Sequence, residues 1–514
     1  MPLPNITFIK GQGGLGRPLP GQDFVSGMVF YVADASLPSG FSTENRIKKI
    51  LALSDAESAG ILDDYSDATA AEATFTVDTV GSNGDTLQLT VDDIDNGGVE
   101  QTIDLGTYTK VLADNTVNLV ATALGAMINA GTITHGYSAT VLADEVTIIA
   151  PKRLGIYLNT GTPLAKNATG TIDGTISQFA GGVASKQALW HYHISEFFRM
   201  QPKGVLYLGF FDVPMAYDFT EITSMQNFAA GAIRQIGIMK GTASAFSSAD
   251  ITLINAVCVV NDNAKKPLSA LYAADLSGTT DISTIADLSL LSANKVSSVI
   301  GQDGGGLGNF LFLTTGKSVT VLGAELGTIA LSKVSESIAW VAQFNISNGT
   351  ECEVLAFANG KLFSDPSITE NLLSSLNDKR HIFLKKHTGI SGSYFNDSHT
   401  AITQTSDYAQ IENNRTIDKA IRGINTSLLP SLNSPLQLNA DGTLSETTIA
   451  YFESQAGVSL DAMVRDAEIS AFEVTIDPAQ DVLATSKIII AVAIVINGVA
   501  RYIEVPIGFK PSLN

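Results

Sequence analysis

Three histidines in the second half of the chain are best suited, by type and spacing, to acid–base or nucleophilic chemistry. His381, His387 and His399 share a polar segment with Asp397 and Ser398. Serine, histidine and aspartate form a hydrolytic triad when a fold brings them into contact. No serine of the sequence stands in the Gly-x-Ser-x-Gly pattern of a nucleophile elbow. The segment therefore leaves a hydrolase open without requiring one.

Other patterns approach known site motifs and fall short of them. The tripeptide 316–318 (Gly-Lys-Ser) ends like a phosphate-binding loop, but the first glycine of that loop is replaced by Leu311. Residues 11–16 approach the dinucleotide fingerprint, yet Arg-Pro-Leu-Pro follows where a helix is required. His191 and His193 are two residues apart on a predicted helix and so point to different sides, not at one metal. The sequence predicts no catalytic residue, no cofactor and no metal site.

Composition narrows the class of protein. The chain has 514 residues, of which 45% are hydrophobic, and a net charge of −20. This acidic balance argues against a nucleic-acid partner. No apolar run approaches the ~20 residues of a membrane span, so direct membrane insertion is not expected. The N-terminus has no secretory-signal pattern, and Cys258 and Cys352 are predicted to be buried thiols.

The elements between the termini predict a mixed α/β fold. Short helices and strands alternate after residue 175, which indicates one layered mixed sheet with flanking helices. The stretch 67–174 predicts a β-rich unit with one helix, inserted into this host fold. Helices are predicted over Ser42–Gly60, Thr116–Ala130, Ser185–Met200, Phe219–Gly231, Ala249–Ala256, Ile282–Ala293 and Val319–Ile346. The predicted division is 1–26 (linker strand and glycine joint), 27–66 with 175–486 (core), 67–174 (inserted domain) and 487–514 (C-terminal hairpin).

Both termini predict strands that are available to another molecule. Lys487–Phe509 contains two β-rich runs around Asn497-Gly498, which predicts a hairpin with a type I′ turn. The first run is apolar on both faces and is predicted inside a sheet, while the second alternates and carries Pro506, which favours an open edge. Asn5–Lys10 predicts a strand tethered by the glycine joint 11–16. An open edge accepts a strand from a neighbouring molecule.

Several segments of the sequence resemble the C-terminal half of contractile phage tail sheath proteins, specifically the Mu-like and Bacteroidota-type group. They are Gly389–His399, Tyr408–Arg422, Leu428–Pro435, the helix Gly323–Asn348 and the stretch Asp477–Leu483. The resemblance covers Gly181 to the C-terminus together with the N-terminal strand and its joint. The unit 67–174 resembles the variable outward-facing domains of these sheaths.

The resemblance implies a structural subunit and not an enzyme. Such subunits stack as hexameric rings around an inner tail tube, are linked by terminal strands exchanged between neighbours, and contract. The implied partners are other copies of the chain, the tube protein, and the baseplate and tail terminator proteins. The implied location is a virion tail or a contractile injection particle assembled in the bacterial cytoplasm. The alternatives are a hydrolase that uses His381–His399 and a tail or baseplate scaffold that does not polymerise alone.

Two groups of residues are predicted to make these contacts. The helical stretch Glu446–Asp466 is predicted to face the tube through weak, salt-sensitive ion pairs of Glu453, Asp461 and Arg465. The residues predicted to pair between subunits are Asn5, Ile6, Thr7, Phe8, Ile9, Arg501, Tyr502, Ile503, Glu504, Val505, Ile507 and Phe509.

Overall fold

The computed structural model describes residues 22–240 and 245–509. Within these ranges the chain forms twenty strands and twelve α-helices, numbered here in chain order. The predicted class, a layered mixed sheet with flanking helices, is confirmed. The predicted strand Asn5–Lys10 and the glycine joint 11–16 lie outside the described residues. No helix in the described part of the chain is both long and apolar enough to cross a membrane.

Seven strands form the central sheet, in the spatial order β16-β13-β12-β11-β1-β10-β2. They are β1 (Val25–Tyr31), β2 (Ile47–Ile50), β10 (Val205–Phe211), β11 (Gln235–Met239), β12 (Ser269–Ala273), β13 (Val296–Val299) and β16 (His381–Ile382). All neighbours are parallel except β2, which runs antiparallel to β10 at one edge. Parallel strands covered on both faces favour near-continuous apolar runs, and β1 is buried along its whole length.

Helices cover both faces of this sheet. They are α4 (Lys186–Met200), α5 (Glu221–Phe228), α6 (Ser248–Asn263) and α8 (Leu322–Leu331). Met28 and Phe30 of β1 belong to the apolar cluster with α4 and α8. Val25 and Val29 belong to a second cluster with α5 and α6. The two-residue period of a strand sends alternate side chains to opposite faces, so β1 contributes to both clusters.

Two glycines allow α8 to lie directly against α4. A Cβ atom at Gly323 would lie 2.1 Å from the carbonyl oxygen of His193, and one at Gly327 would lie 2.6 Å from that of Phe197. Glycine lowers helix propensity by about 1 kcal/mol relative to alanine. The close approach of the two backbones explains why glycine stands in this helix.

The helix predicted over Val319–Ile346 is wrong in extent, because α8 ends at Leu331. The next residue, Ser332, has extended backbone angles. Its carbonyl oxygen accepts a hydrogen bond from the Arg415 guanidinium at 3.2 Å. This contact with a distant residue ends the helix early, and no local sequence signal indicates it.

Two further predicted helices are also wrong in part. Ser42–Gly60 contains β2 and the short helix α1 (Leu53–Ser58), because β2 pairs with β10 at the sheet edge. Ile282–Ala293 contains only a 3-10 turn at its start. There the carboxylates of Asp281 and Asp287 accept backbone N–H groups two residues ahead. Such local bonds compete with a helix.

The β-rich unit within 67–174 is built from two sheets. Its strands are β3 (Glu72–Thr79), β4 (Thr86–Ile94), β5 (Glu100–Thr109), β6 (Ser138–Leu142), β7 (Glu145–Ile149), β8 (Leu164–Thr169) and β9 (Asp173–Ala180). Their orders are β6-β7-β3-β9 and β5-β4-β8. Helices α2 (Val117–Ala130) and α3 (Thr132–His135) complete the unit, and Thr116 caps α2. Since β9 pairs with β3 as far as Ala180, this sheet extends beyond residue 174.

The remaining elements connect these units and form the C-terminal part. The paired strands are β14 (Gly301–Asp303), β15 (Leu355–Phe357), β17 (Leu384–His387), β18 (Ile390–Phe395), β19 (Ile469–Thr475) and β20 (Ala491–Ile496). The helices are α7 (Leu307–Thr315), α9 (Glu370–Asp378), α10 (Ile411–Leu428), α11 (Glu446–Arg465) and α12 (Val482–Thr485). The 3-10 turns are Asp34–Ser36, Lys152–Leu154, Tyr157–Asn159, Ile282–Thr284 and Leu429–Ser431. Cys258 and Cys352 are buried free thiols, as predicted.

Candidate assembly surface

The C-terminal part of the chain contains a small sheet whose outer edges are unpaired within residues 22–240 and 245–509. In this sheet β19 and β20 run antiparallel, with Phe472 opposite Ile494 and Val474 opposite Val492. These four side chains pack against α10 and α11 and are only half-buried. On the opposite face Val495 is 59% exposed, so the prediction that this run lies inside a sheet is wrong. A two-stranded sheet alone is marginal in water.

The predicted hairpin across Asn497-Gly498 is also wrong. The first run, Lys487–Ile496, becomes a strand only from Ala491, and its partner is β19, not the tail. The Asn497 side chain donates to the Ala467 carbonyl at 2.7 Å and accepts from the Ser470 hydroxyl at 2.9 Å. These bonds tie Asn497 to the start of β19, and the chain leaves the sheet there.

Beyond this point the chain continues as a tail, and its part from Tyr502 onward has no hydrogen-bond or ion-pair partner among residues 22–240 and 245–509. Residues 502–509 contain no strand and make no hydrogen bond or ion pair with the other described residues. The exposed fractions are 80% for Ile503, 67% for Val505, 91% for Ile507 and 109% for Phe509. The predicted pairing residues that have no partner here are Tyr502, Ile503, Glu504, Val505, Ile507 and Phe509. Apolar residues this exposed mark an interaction site more often than a finished surface.

Arg501 is the exception among the predicted pairing residues, because its side chain is bound within its own chain. The guanidinium donates from Nε to both carboxylate oxygens of Asp397, at 3.0 and 3.1 Å. Its Nη2 group also donates to the Ser398 hydroxyl at 3.2 Å and to the carboxylate of Glu412. Burial disfavours the charge on Arg501, but the carboxylates of Glu412 and Asp397 together outweigh this effect and raise its pKa. The unattached part of the tail therefore begins at Tyr502.

At the other end of the chain, the predicted pairing residues lie outside the described residues. They are Asn5, Ile6, Thr7, Phe8 and Ile9. The described chain begins at residue 22 and enters β1 at Val25. Between these points, Asp23 forms ion pairs with Lys419 at 2.8 Å and with Arg422 at 3.0 Å. This end of the chain is therefore fixed to α10 just before the central sheet.

The predicted tube-facing stretch is a helix, α11, and Ser445 caps it by accepting the Thr448 N–H. Asp461 and Arg465 lie on its exposed side. Glu453 is half-buried, and its carboxylate accepts the backbone N–H of Ile476 at 3.2 Å. The structure thus places Asp461 and Arg465 together on one side of α11 and turns Glu453 toward the connection after β19.

The polar segment near residue 390 does not assemble a triad. Asp397 and Ser398 are bound to Arg501, whereas the Nε2 atom of the adjacent His399 lies 2.9 Å from the Asn377 side-chain oxygen. The Nδ1 atom of His399 is 3.9 Å from Asp397. Burial lowers the pKa of His399 to about 3, so it is neutral at physiological pH. The three side chains that could form a triad are therefore used for structural contacts.

The other histidines of this segment also make structural contacts. His381 is fully buried, with Nε2 2.8 Å from the Ala286 carbonyl oxygen and Nδ1 3.2 Å from the Ser298 hydroxyl. The carbonyl can only accept, so Nε2 carries the proton and Nδ1 accepts from the serine. Because Ser298 is also buried, this pair has no access for a substrate. His387 lies on β17 beside the Tyr394 ring.

Two other motifs of the sequence are also part of the framework. Lys317 forms an ion pair with Asp275 at 2.8 Å, and the Ser318 hydroxyl donates to the Ala358 carbonyl, so neither is arranged for a phosphate. His191 Nε2 lies 3.2 Å from the Glu57 carboxylate, and His193 is fully buried. The two histidines therefore have different surroundings, as their spacing predicts.

Family profiles match almost the whole sequence. The profile described as DUF2586, N-terminal domain, matches residues 3–399, and that described as DUF2586, C-terminal domain, matches residues 407–514. The chain belongs to the DUF2586 family. The boundary between the two family domains falls just before α10, so α10, α11, the β19–β20 sheet and the tail all lie in the DUF2586 C-terminal domain. No curated protein matches this sequence.

This DUF2586 protein is similar to solved structures from contractile sheaths. One is the contracted helical sheath of the anti-feeding prophage, with TM-score 0.43 and 15% identity over 62% of this chain and 81% of that chain. Another is the contracted PVC sheath complex of an extracellular contractile injection system, with TM-score 0.41 and 11% identity over 63% and 80%. The sheath tail protein from Listeria innocua has TM-score 0.37 and 9% identity over 92% and 94%.

Proposed function

We propose that this protein is the structural subunit of a contractile tail sheath. It polymerises as stacked hexameric rings around an inner tube and contracts to drive the tube through a target cell envelope. The observation that carries this proposal is the exposed tail Tyr502–Phe509 beside a two-stranded sheet whose edges are unpaired within the described residues. The sequence resemblance to sheath proteins supports the same function.

The tail has the properties of a strand that completes its pairing on another subunit. Ile503, Val505, Ile507 and Phe509 alternate along the chain, so in a strand they would share one face. A strand of about six residues adds a handful of net hydrogen bonds at roughly 1 kcal/mol each, and burial of the apolar face adds to this. The gain per link is modest, but every subunit of a polymer contributes it. The strand Asn5–Lys10 would provide the second link.

The sheath interior is proposed to contact the tube through α11. Asp461 and Arg465 are exposed on this helix, whereas the half-buried Glu453 carboxylate accepts the Ile476 N–H, so the proposal relies on the first two residues. Exposed ion pairs are weak and sensitive to salt, which suits a tube that must slide during contraction. Reversing both charges, Asp461→Lys with Arg465→Glu, is expected to weaken co-assembly with the tube protein. Unchanged co-assembly would remove α11 from this role.

The β-rich unit is proposed to face outward from the sheath. Its two ends are adjacent in space, since Thr69 and Val183 form a bridge at its base. It contacts the core mainly near α7, where the Ile156 N–H donates to the Thr314 carbonyl at 2.9 Å. A unit with adjacent ends and one contact area is suited to replacement by a short linker.

The same proposal includes the partners and the location of the sheath. The protein would also contact baseplate and terminator proteins. It would act in a virion tail or an injection particle that is assembled in the bacterial cytoplasm.

Electron microscopy of the purified full-length protein tests the proposed function. Rings or striated tubes are expected at high protein concentration. The variant Ile507→Asp is expected to abolish them, since a charge on the apolar face opposes burial in the neighbouring sheet. Ile133→Asp is the matched control, because Ile133 is 101% exposed and Ile507 is 91% exposed. Discrete globular particles under all conditions, or equal assembly by both variants, would contradict the proposal.

A further inference from the structure

The inner face of α10 is charged where most buried helix faces are apolar. Glu412, Arg415, Asp418 and Lys419 are each no more than 7% exposed. With Arg422, they occupy positions that a helical period of 3.6 residues places on one side. Charged residues this deeply buried are usually paired, and their contacts depend strongly on direction and distance. The partners of this face therefore fix where α10 lies.

Two of these contacts hold α10 onto the core. Lys295, next to the start of β13, forms an ion pair with Asp418 at 2.5 Å. The Arg415 guanidinium donates to the Ser332 hydroxyl at 2.7 Å, just after α8. Buried ion pairs are better evidence for a fixed register than for stability. They prevent α10 from sliding along the sheet without breaking several bonds at once.

The same face of α10 also binds Asp23, just before β1. The predicted linker strand Asn5–Lys10, called the N-terminal arm below, precedes Asp23 in the sequence. Lys419 and Arg422 bind the two carboxylate oxygens of Asp23 at 2.8 and 3.0 Å. Lys419 also binds Glu468 at 2.5 Å, which ties in the start of β19. Burial and the nearby Arg422 charge lower the pKa of Arg234 to about 10. Several cations therefore meet at this site. Removal of the Asp23 carboxylate would break the ion pair of Arg422 and leave Lys419 paired with Glu468.

The first turn of α10 holds the base of the C-terminal tail. The Glu412 carboxylate accepts from the Arg501 guanidinium, which also binds Asp397 and Ser398. Glu412 and Lys419 are seven positions apart, which is two helical turns or about 10 Å. Asp23, near the start of the described chain, and Arg501, near its end, are therefore fastened to one helix by ion pairs two turns apart.

We infer that α10 is the tie through which the two inter-subunit links of each subunit are mechanically joined. This inference rests on the proposed sheath function. Tension that arrives through the N-terminal arm reaches α10 at Lys419 and Arg422, and it leaves through Glu412 and Arg501 into the tail. We call the ion pairs of Asp23 with Lys419 and Arg422, and those of Arg501 with Asp397 and Glu412, the two clamps. In this inference each clamp fixes the direction in which its link leaves the subunit.

The first experiment measures the clamp at Arg501 in the unassembled full-length protein. Spin labels are placed at Tyr502→Cys and Ser374→Cys; Tyr502 and Ser374 are exposed, whereas both native cysteines are buried. The distance distribution between the labels is expected to be narrow, to broaden in Arg501→Gln, and to stay narrow in Arg46→Gln. Arg46 is the control because its side chain is about as exposed as that of Arg501, at 21% against 26%, and it forms an ion pair with Asp34 at 2.7 Å. A distribution that does not broaden in Arg501→Gln overturns the inference.

The second experiment tests whether the clamps carry load. Arg501→Gln and Asp23→Asn are each expected to raise the critical concentration for tube formation by about tenfold, the effect of one lost charged contact, whereas Arg46→Gln leaves it unchanged. Asp397→Asn replaces Arg501→Gln if that variant does not fold. Tubes formed by the clamp variants at the wild-type concentration, with normal contraction, overturn the inference. If the wild type forms neither rings nor tubes, the sheath function fails, while the label distances still decide whether the clamp exists.

Discussion

The central sheet and the C-terminal sheet of this protein differ in how completely each is paired. In the central sheet β1 has a partner on both sides, and all seven of its residues are buried. In the C-terminal sheet each strand is paired on one side only within the described residues, and Phe472 and Ile494 remain half-buried. The central sheet thus has five interior strands that are paired on both sides, whereas the C-terminal sheet consists of two edge strands only. The proposed sheath subunit needs both kinds of sheet: one that keeps its own fold rigid and one that can accept strands from neighbouring subunits.

The largest expected effect comes from the central sheet. Phe210 is fully buried and stacks on Phe30 at 5.2 Å, with Trp190 at 4.8 Å and Phe41 at 4.7 Å. Phe210→Ala is expected to lower the free energy of unfolding by about 3–5 kcal/mol, because it leaves a cavity among aromatic rings. Urea denaturation of the dilute protein measures this. A loss under about 1 kcal/mol would mean that the core is not as closely packed as described.

A smaller effect is expected from an unpaired carboxyl group in the same region. Glu325 of α8 is fully buried, and burial raises its pKa from 4.5 to about 8. Because the folded state binds this proton more tightly than the unfolded state, its contribution is favourable below pH 4.5 and is lost as the pH rises to 8. Glu325→Gln cannot ionise at this position and is expected to avoid this loss. Between pH 4.5 and pH 8 the free energy of unfolding of the wild type should therefore fall by on the order of 3 kcal/mol more than that of the variant. Parallel pH dependence of the two proteins in urea denaturation would contradict this assignment.

The matching substitution in the C-terminal sheet is expected to cost less. Phe472 is half-buried against α11, so Phe472→Ala is expected to lower the free energy of unfolding by about 1–2 kcal/mol, roughly half the value for full burial. A smaller loss for Phe472→Ala than for Phe210→Ala would show that the C-terminal sheet is less completely packed than the central sheet. The same variant should impair tube formation more than this loss explains, because added strands would cover Phe472. Equal losses for Phe210→Ala and Phe472→Ala in the dilute protein would show that the C-terminal sheet is already complete.

Sequence patterns predicted the elements that depend on local signals. The helices predicted over Thr116–Ala130 and Ser185–Met200 are present as α2 and α4, and the first residue of each predicted range caps its helix. The Asn497-Gly498 hairpin failed because its signal describes only neighbours in sequence. The partner of β20 is Ile469–Thr475, about twenty residues earlier, and Asn497 is used to bind that strand. Pairing between distant segments is decided by packing on α10 and α11, which the local pattern does not contain.

The candidate site was predicted in part for the same reason. The alternation of Ile503, Val505 and Ile507 is a local signal; the structure shows these residues exposed, and their pairing with a neighbour stays a prediction. The role of Arg501 had no such signal, because its partners Asp397 and Glu412 are about a hundred residues away. Buried ion pairs of this kind join positions that only the folded chain brings together.

Truncation of the chain after Arg501 tests the central claim most directly. The shortened protein keeps both sheets and the Arg501 clamp and lacks the exposed tail. Thermal unfolding of the dilute protein and electron microscopy of the concentrated protein are measured on the same samples, with the full-length chain as the control. The melting temperature is expected to be unchanged, because residues 502–509 make no hydrogen bond or ion pair with the rest of the described chain, and tube formation is expected to be lost. Tubes formed as readily as by the full-length chain, or a large fall in melting temperature with loss of the fold, would contradict the account.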